Sequence, residues 1–546
     1  MYPSGSVHRI DAQHDDDAAR PSHPRTVPTT HAAPHPPTSS SRRARVDGRR
    51  DTEREYRGGG RRGLPYLPNI ALYVVVHSVV GPPFPILLPL PPTEFASAAF
   101  LAPPPPPTVV RGEIFDLASR TTRGAPRRRR PLPRDAAIDL SEDADRDVSS
   151  FVEWASRGGI QTADGFDLVG GEYDGRLDVS AVTTRDMPAG STVIYVPRDM
   201  ILSSGDVMEE FGRLAEAEEL LTDNGYASEI RQYYLVLKVL VELERGHESP
   251  WFAYLNSLPR YYSNGASMTL FCYTCIPPLV ASMCKDERAR LNNLSVKRVV
   301  PFLGNDIKGD PKLWKWAYNV VYTRGFEAND GANFNICPMI DYLNHGTENE
   351  VWMTYDDSGN CYAQATRDIP ANTPLRMSYG DPTNPSFLLA RYGFLDESSP
   401  ATFCKIIPTH VSREMMDLGY SHNRMLFYKE TGEVSEEVWD ILLYMALGET
   451  DPTMQRQFYQ AHMDGDSVTK QYIHEQYYPL TAAKLRDHID TFLDDLDQLE
   501  RKVDYGARVA ADDHPRLPLL LRHNQFVRNT FLTVRAKQGL DQFGYS

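Results

Sequence analysis

The feature that most constrains this chain is a change of material near residue 134. Residues 1–134 hold 23 of the 42 prolines and 20 arginines, with no lysine and 11 acidic residues, a charge of +9. The remaining residues carry 38 basic against 62 acidic side chains, a charge of −24. Sequence so rich in Pro, Arg, His and Ser cannot bury enough apolar surface to offset the entropy of ordering it. We read residues 1–145 as a disordered Pro/Arg-rich tail, with folded sequence beginning near Phe151.

Within the tail, Leu64 to Leu90 is mostly apolar, but its proline-free core, Ile70 to Val80, is only 11 residues long. A spanning helix needs about 20, so no stable membrane span is expected; a signal-peptide hydrophobic region is short enough to fit. The following FASAAFLAP, Phe95 to Pro103, is similar to the junction of plastid presequences in algae with secondary plastids. Six cysteines in 546 residues are too few for a disulfide scaffold, which points to a reducing compartment. The expectation is an intracellular soluble protein of the cytoplasm or nucleus, with a plastid as the alternative. An acidic body lacks the clustered Lys and Arg that nucleic acid requires, so no nucleic-acid partner is expected.

The body changes pattern three times. FVEWASRGG reads as a short helix stopped by Gly158 and Gly159, followed by β-like runs at 166–171, 177–183 and 192–197. Helical patterning then dominates from about 205 to 320; Ile230, Tyr233, Tyr234, Leu237, Leu240 and Val241 share one face, and Gly246 ends it. Short strands return over 334–407, and helices again after 410. There Leu485, Ile489, Phe492, Leu496 and Leu499 form one stripe on a long acidic helix.

Several features that attract attention carry no chemistry. Cys272, Cys275 and Cys284 contain half of a zinc pattern, but no second pair lies nearby, so they read as core and no metal site is expected. The acidic pairs Glu348/Glu350 and Asp356/Asp357 read as solvated turn residues. The glycines at 58–60 are low-complexity sequence rather than a phosphate loop.

One constellation remains: Thr323-Arg324, Asp341-x-x-Asn344-His345, Tyr379-Gly380, Asn384 and Tyr392-Gly393-Phe394. In order and spacing it resembles the SET-domain protein methyltransferases, in the branch of the Rubisco large-subunit lysine methyltransferase and the actin-histidine methyltransferase. The resemblance covers about 151–540. It implies an α+β fold: a SET-domain β-fold with a pseudoknot and a helical insertion, followed by an all-α substrate-binding domain. The implied domains are 146–405, with the insertion at about 205–320, and 406–546. The implied activity is S-adenosyl-L-methionine-dependent N-methylation of a lysine on a non-histone protein. The implied partner is a folded protein docked on the C-terminal helical domain, and a monomer is expected.

Residue by residue, the resemblance makes Tyr379 the catalytic position. It assigns cofactor binding to Arg324, Asp341, Asn344, His345, Tyr392 and Phe394, the last two reading as i and i+2 of a strand. Asp178 and Val179 fall on the amino-terminal cofactor loop, where the family carries Gly-x-Gly and this chain has Asp178-Val179-Ser180. If that loop needs positive φ, Asp and Ser fit less well than Gly, although Asp can visit the left-handed region. Phe326 and Ile340 are expected to line the substrate channel. Histidine-methylating relatives have an amide at the position of Phe326, and a phenyl ring suits an alkylammonium better than an imidazole. Two alternatives stay open: a non-catalytic SET-fold interaction module, suggested by the altered 178–180 loop, and a protein-histidine methyltransferase, against which Phe326 argues.

Overall fold

The structure, a computed structural model, describes residues 138–542 apart from 174–175, 296–299, 329–330, 404–410 and 422. The apolar run at 64–90 and the FASAAFLAP segment lie outside the described residues. Packed chain begins earlier than expected: Ile138 is buried in the core. Arg260 Nε fastens this stretch by donating to the Asp139 carbonyl at 2.8 Å.

Asp147 caps the first helix, Val148–Arg157, by accepting from Ser150 N at 3.0 Å, and Gly158 closes it. The helix buries Phe151 and Ala155 and packs on Phe252–Ser257. Three small antiparallel sheets follow. One orders Gln161–Thr162, Thr192–Val196, Cys361–Ala365 and Val351–Tyr355; a second orders Thr373–Pro374, Arg176–Thr183 and Phe166–Tyr173; a third orders Leu202–Ser203, Asn333–Ile336 and Gly325–Ala328. A fourth pairing matters most for function. Arg376–Met377 runs parallel to Asn344–His345, in the register Arg376 with Asn344 and Met377 with His345.

The insertion is helical, as the sequence pattern predicts, with Ile230–Arg245 against Pro311–Arg324. It serves two cores. These two helices bury their apolar faces with the strands in the first. Met268, Cys272, Cys275, Val280 and Cys284, although part of the insertion in sequence, lie in the second core with the C-terminal helices. The three cysteines are buried, and desolvation pushes the Cys275 and Cys284 thiols up, which makes them poor nucleophiles.

The C-terminal region is built on Ser467–Ala510, a 44-residue helix packed on Leu517–Lys537. Its five-residue stripe from Leu485 to Leu499 is buried throughout. An antiparallel pair precedes these helices: Ala401–Phe403 falls in the stretch read as strands, whereas its partner Leu426–Tyr428 lies where the sequence reads as helical. Among the described residues, no helix is long and apolar enough to cross a membrane.

Candidate active site

The parallel pairing carries the site. It sets Asn344-His345 beside the strand that runs directly into Tyr379, so residues more than 30 positions apart meet at one edge. Tyr379 N donates to His345 Nδ1 at 3.1 Å, and the Tyr379 hydroxyl donates to the Leu343 carbonyl at 2.7 Å. With Nδ1 accepting, the imidazole proton sits on Nε2, which lies 3.3 Å from Asp396 Oδ2. Burial opposes charge on Asp396, but hydrogen bonds from His345, Ser398 and Thr347 outweigh it and hold the carboxyl well below its ordinary range.

Tyr379 is enclosed by aromatic rings. Its ring centroid is 4.8 Å from Tyr392, 5.6 Å from His345 and 6.2 Å from Phe394. Desolvation pushes its phenol well up, only partly opposed by Arg324, so the hydroxyl remains protonated at neutral pH. It is a donor held in place by the Leu343 carbonyl.

A buried ion pair lies on the other side of Leu343. Arg324, the last residue of its helix, donates through Nη1 to Asp341 Oδ2 and to the Asp341 carbonyl, each at 2.9 Å. Tyr254 from the insertion donates to the same carboxylate at 2.7 Å. Burial pushes the Asp341 carboxyl up and Arg324 pulls it back; burial likewise opposes charge on the guanidinium, but Asp341 together with Tyr262, Tyr342 and Tyr254 outweighs it and keeps Arg324 charged. Met339, two residues before Asp341, has φ 77°. A non-glycine residue in that region is strained, and the strain sits at the turn that aims Asp341.

The amino-terminal loop reaches the same place. Arg146 and Arg324 both approach the Tyr342 ring, with guanidinium carbons 5.8 and 5.2 Å from its centroid. Arg146 Nη1 pairs with Asp178 Oδ1 at 3.0 Å, and Asp178 Oδ1 also accepts from Val179 N at 2.8 Å. Residues 178–180 belong to the strand Arg176–Thr183 and none has positive φ. Asp and Ser therefore sit there without the backbone strain that the sequence raised.

Other positions differ from expectation. Tyr392 and Phe394 do not share a strand: Tyr392 ends the helix Pro385–Tyr392, Gly393 closes it at φ 84°, and Phe394 follows. Asn384 starts that helix, accepting from Phe387 N at 3.1 Å. The sequence Asn-Pro at one end and Gly at the other is a helix signature that the strand reading overlooked. Glu350, expected in a solvated turn, is 1 % exposed and accepts twice from Arg376 at 3.0 Å, which fastens the strand leading to Tyr379. Asp356 does shape a turn, accepting from Ser358 N and Asn360 N. Asn344 is exposed at the edge of the pairing, Phe326 is half-buried on Gly325–Ala328, and Ile340 is fully buried. No polar contact joins Phe326 or Ile340 to the tyrosine among the described residues.

A buried network holds the helix of Tyr392 to the insertion. Glu287 accepts from Arg391 Nε at 2.8 Å, Arg290 Nη1 at 2.7 Å and the Tyr318 hydroxyl at 2.7 Å. Arg290 also donates to Glu229, as does Tyr322. Tyr254, Arg146, Asp396 and Glu287 all escaped the sequence reading. Each lies far along the chain from the motif it supports, and none has a local signature.

The fold carrying this constellation is a SET domain with a helical insertion and a C-terminal helical region. It is similar to the structure of the SET domain of LSMT bound to lysine and AdoHcy, at 14 % identity and a TM-score of 0.51, over 72 % of this chain and 91 % of that one. It is also similar to Rubisco LSMT bound to sinefungin and monomethyllysine, at 16 % identity and a TM-score of 0.50, over 74 % and 95 %. In sequence the chain is 24 % identical over 240 residues to SET domain-containing protein 4 of Artemia parthenogenetica, 40 % of this chain. It spans 56 % of that relative's length. No protein-family model matches the chain. The resemblance read from the motifs therefore holds at the level of the fold, which is that of the LSMT SET domain.

Proposed function

We propose that the chain is an S-adenosyl-L-methionine-dependent protein-lysine N-methyltransferase acting on a non-histone protein. The observation that carries this reading is the convergence at Tyr379. Its hydroxyl is fixed by Leu343, its amide by His345, and its ring by Tyr392 and Phe394, beside the Arg324–Asp341 pair.

The cofactor reading rests on unmet donors. Arg146 Nη2 and Arg324 Nε are buried without a hydrogen-bond partner among the described residues. Leaving such a group unpaired costs about 1–3 kcal/mol, and two guanidinium groups near one ring suit a carboxylate. Arg146, Arg324, Asn344 and His345 would hold the amino-acid and adenosine parts. When bound, S-adenosyl-L-methionine supplies a methyl group on a positively charged sulfur. The protein's part is alignment and environment. The Tyr379 oxygen orients the incoming amine, and the surrounding rings desolvate a lysine ammonium so that its neutral form is favoured. Phe326 offers an alkyl stem a surface and an imidazole no hydrogen bond, which supports lysine over histidine.

A second reading, a SET fold used only for binding, draws on Asp178, whose carboxylate already engages Arg146. Calorimetric titration with S-adenosyl-L-methionine separates the two, because saturable binding sinks the second. The substrate is proposed to dock on the C-terminal helical region, and the five described cysteines, all free and buried, support an intracellular site of action. The decisive experiment incubates the chain with labelled cofactor and lysate, then maps the label by mass spectrometry. Label on lysine that disappears in Tyr379→Phe supports the proposal; label on histidine overturns its substrate class.

A further inference from the structure

Away from this site, a cavity of about 480 Å³ opens between the helices Pro278–Leu294 and Pro311–Arg324. Its charged lining residues are Arg288, Lys312 and Lys315, and no carboxylate lines it among the described residues. In a body whose net charge is −24, a cavity walled by three cations is out of character and focuses a positive potential.

The cations are short of partners. Arg288 Nη1 donates to the Met268 carbonyl at 2.8 Å, which fixes the guanidinium without neutralising it. Lys312 and Lys315 form no ion pair among the described residues. Burial pushes the Lys315 ammonium down, and Arg516, Arg288 and Lys312 push the same way. Glu142 opposes them, but it is already held by Arg516 at 3.1 Å. Converging ammonium and guanidinium groups with unspent charge suit a polyanion. The cavity is a half-open depression, and it exceeds the need of a lone ion. Leu291 and Pro311 supply an apolar edge for a carbon skeleton, with the buried Trp314 behind them.

We propose that this cavity binds a small organic phosphate, its phosphate held by Arg288, Lys312 and Lys315 and its carbon part against Leu291 and Pro311. The test is calorimetric titration of the full chain with inorganic pyrophosphate, a probe without the adenosine part that could enter the methyl-transfer site. Saturable binding is expected, retained in Tyr379→Phe. Lys312→Ala changes an exposed residue and Lys315→Met keeps most of its side-chain volume; each should weaken binding about tenfold, the loss of one charge-assisted hydrogen bond. Pyrophosphate should also raise the melting temperature of the unaltered chain more than that of Lys312→Ala. The 20 arginines of residues 1–134 attract polyanions too, so affinity unchanged in both lysine variants would assign uptake to the tail and overturn the proposal. Absence of saturable heat would overturn it as well.

Discussion

The main-chain amide of Tyr379 donates to Nδ1 of His345 at 3.1 Å. One hydrogen bond therefore ties the proposed catalytic residue to the Asn-His motif and selects the histidine tautomer whose Nε2 proton faces Asp396. The two halves of the site are a single mechanical unit, and its parts can be tested one at a time.

Removing the phenol oxygen should separate chemistry from binding. Tyr379→Phe keeps the ring contacts with Tyr392 and Phe394 and loses the donor to Leu343. Turnover is expected to fall about a hundredfold, the scale of one preorganised polar group at a reacting centre. Cofactor affinity should change less than about threefold, as less than 1 kcal/mol is at stake. Initial rates with labelled cofactor beside calorimetry check both; equal losses in rate and affinity would assign Tyr379 to binding instead.

The buried pair Arg324–Asp341 predicts an asymmetry. Asp341→Asn strands a desolvated guanidinium and should destabilise the fold by about 3–5 kcal/mol. Arg324→Met with Asp341→Leu removes both charges and should recover much of that loss without recovering cofactor binding. Denaturant unfolding of the three proteins measures this, and a double variant no more stable than Asp341→Asn would refute the electrostatic account.

Asp396 gives a pH signature. Its carboxyl is depressed in the folded chain by His345, Ser398 and Thr347, against an unfolded value of about 3.9. A depressed acid contributes stability that is complete above the unfolded value and disappears as pH falls through the folded one. Asp396→Asn should therefore be less stable than the unaltered chain at pH 7 by about 1–2 kcal/mol. The gap should narrow below about pH 4. Melting curves at pH 7 and pH 3.5 test the sign.

Gly393 is a backbone requirement. It sits at φ 84°, and an added Cβ would meet Asn264 N at 2.4 Å. Both strain and collision oppose Gly393→Ala, with an expected cost of at least about 1–3 kcal/mol. Because Tyr392 and Phe394 flank it, activity should fall more steeply than stability requires. Rates compared at a temperature where the variant is still folded would show this.

The motifs from Arg324 to Phe394 were legible because each is a short run of distinctive residue types in a fixed order. The apolar stripe from Leu485 to Leu499 was legible because a helix period is a local property. What supports the motifs was not. Tyr254 reaches Asp341 across 87 positions, and Arg146 reaches Asp178 across 32; neither spacing leaves a trace in sequence. Glu350 reads as a solvated turn acid and Glu287 carries no signal, because composition cannot reveal that arginines enclose them. Tyr392 reads as a strand residue because aromatics at alternate positions mask the Asn-Pro start and Gly stop around it.

The two-residue parallel ladder between Arg376–Met377 and Asn344–His345 also bears on how the proposed active site is assembled. No part of the site is local: it draws on Arg146, Asp178, Tyr254, Arg324, Tyr379 and Asp396, so loop closures must precede the contacts that reward them. Helices such as Ile230–Arg245 can form early on their own periodicity, whereas the catalytic edge exists only once distant segments have docked. Regain of methyl-transfer capacity during refolding should thus lag behind regain of helix, and nascent chains should remain inert until Asp396 has left the ribosome.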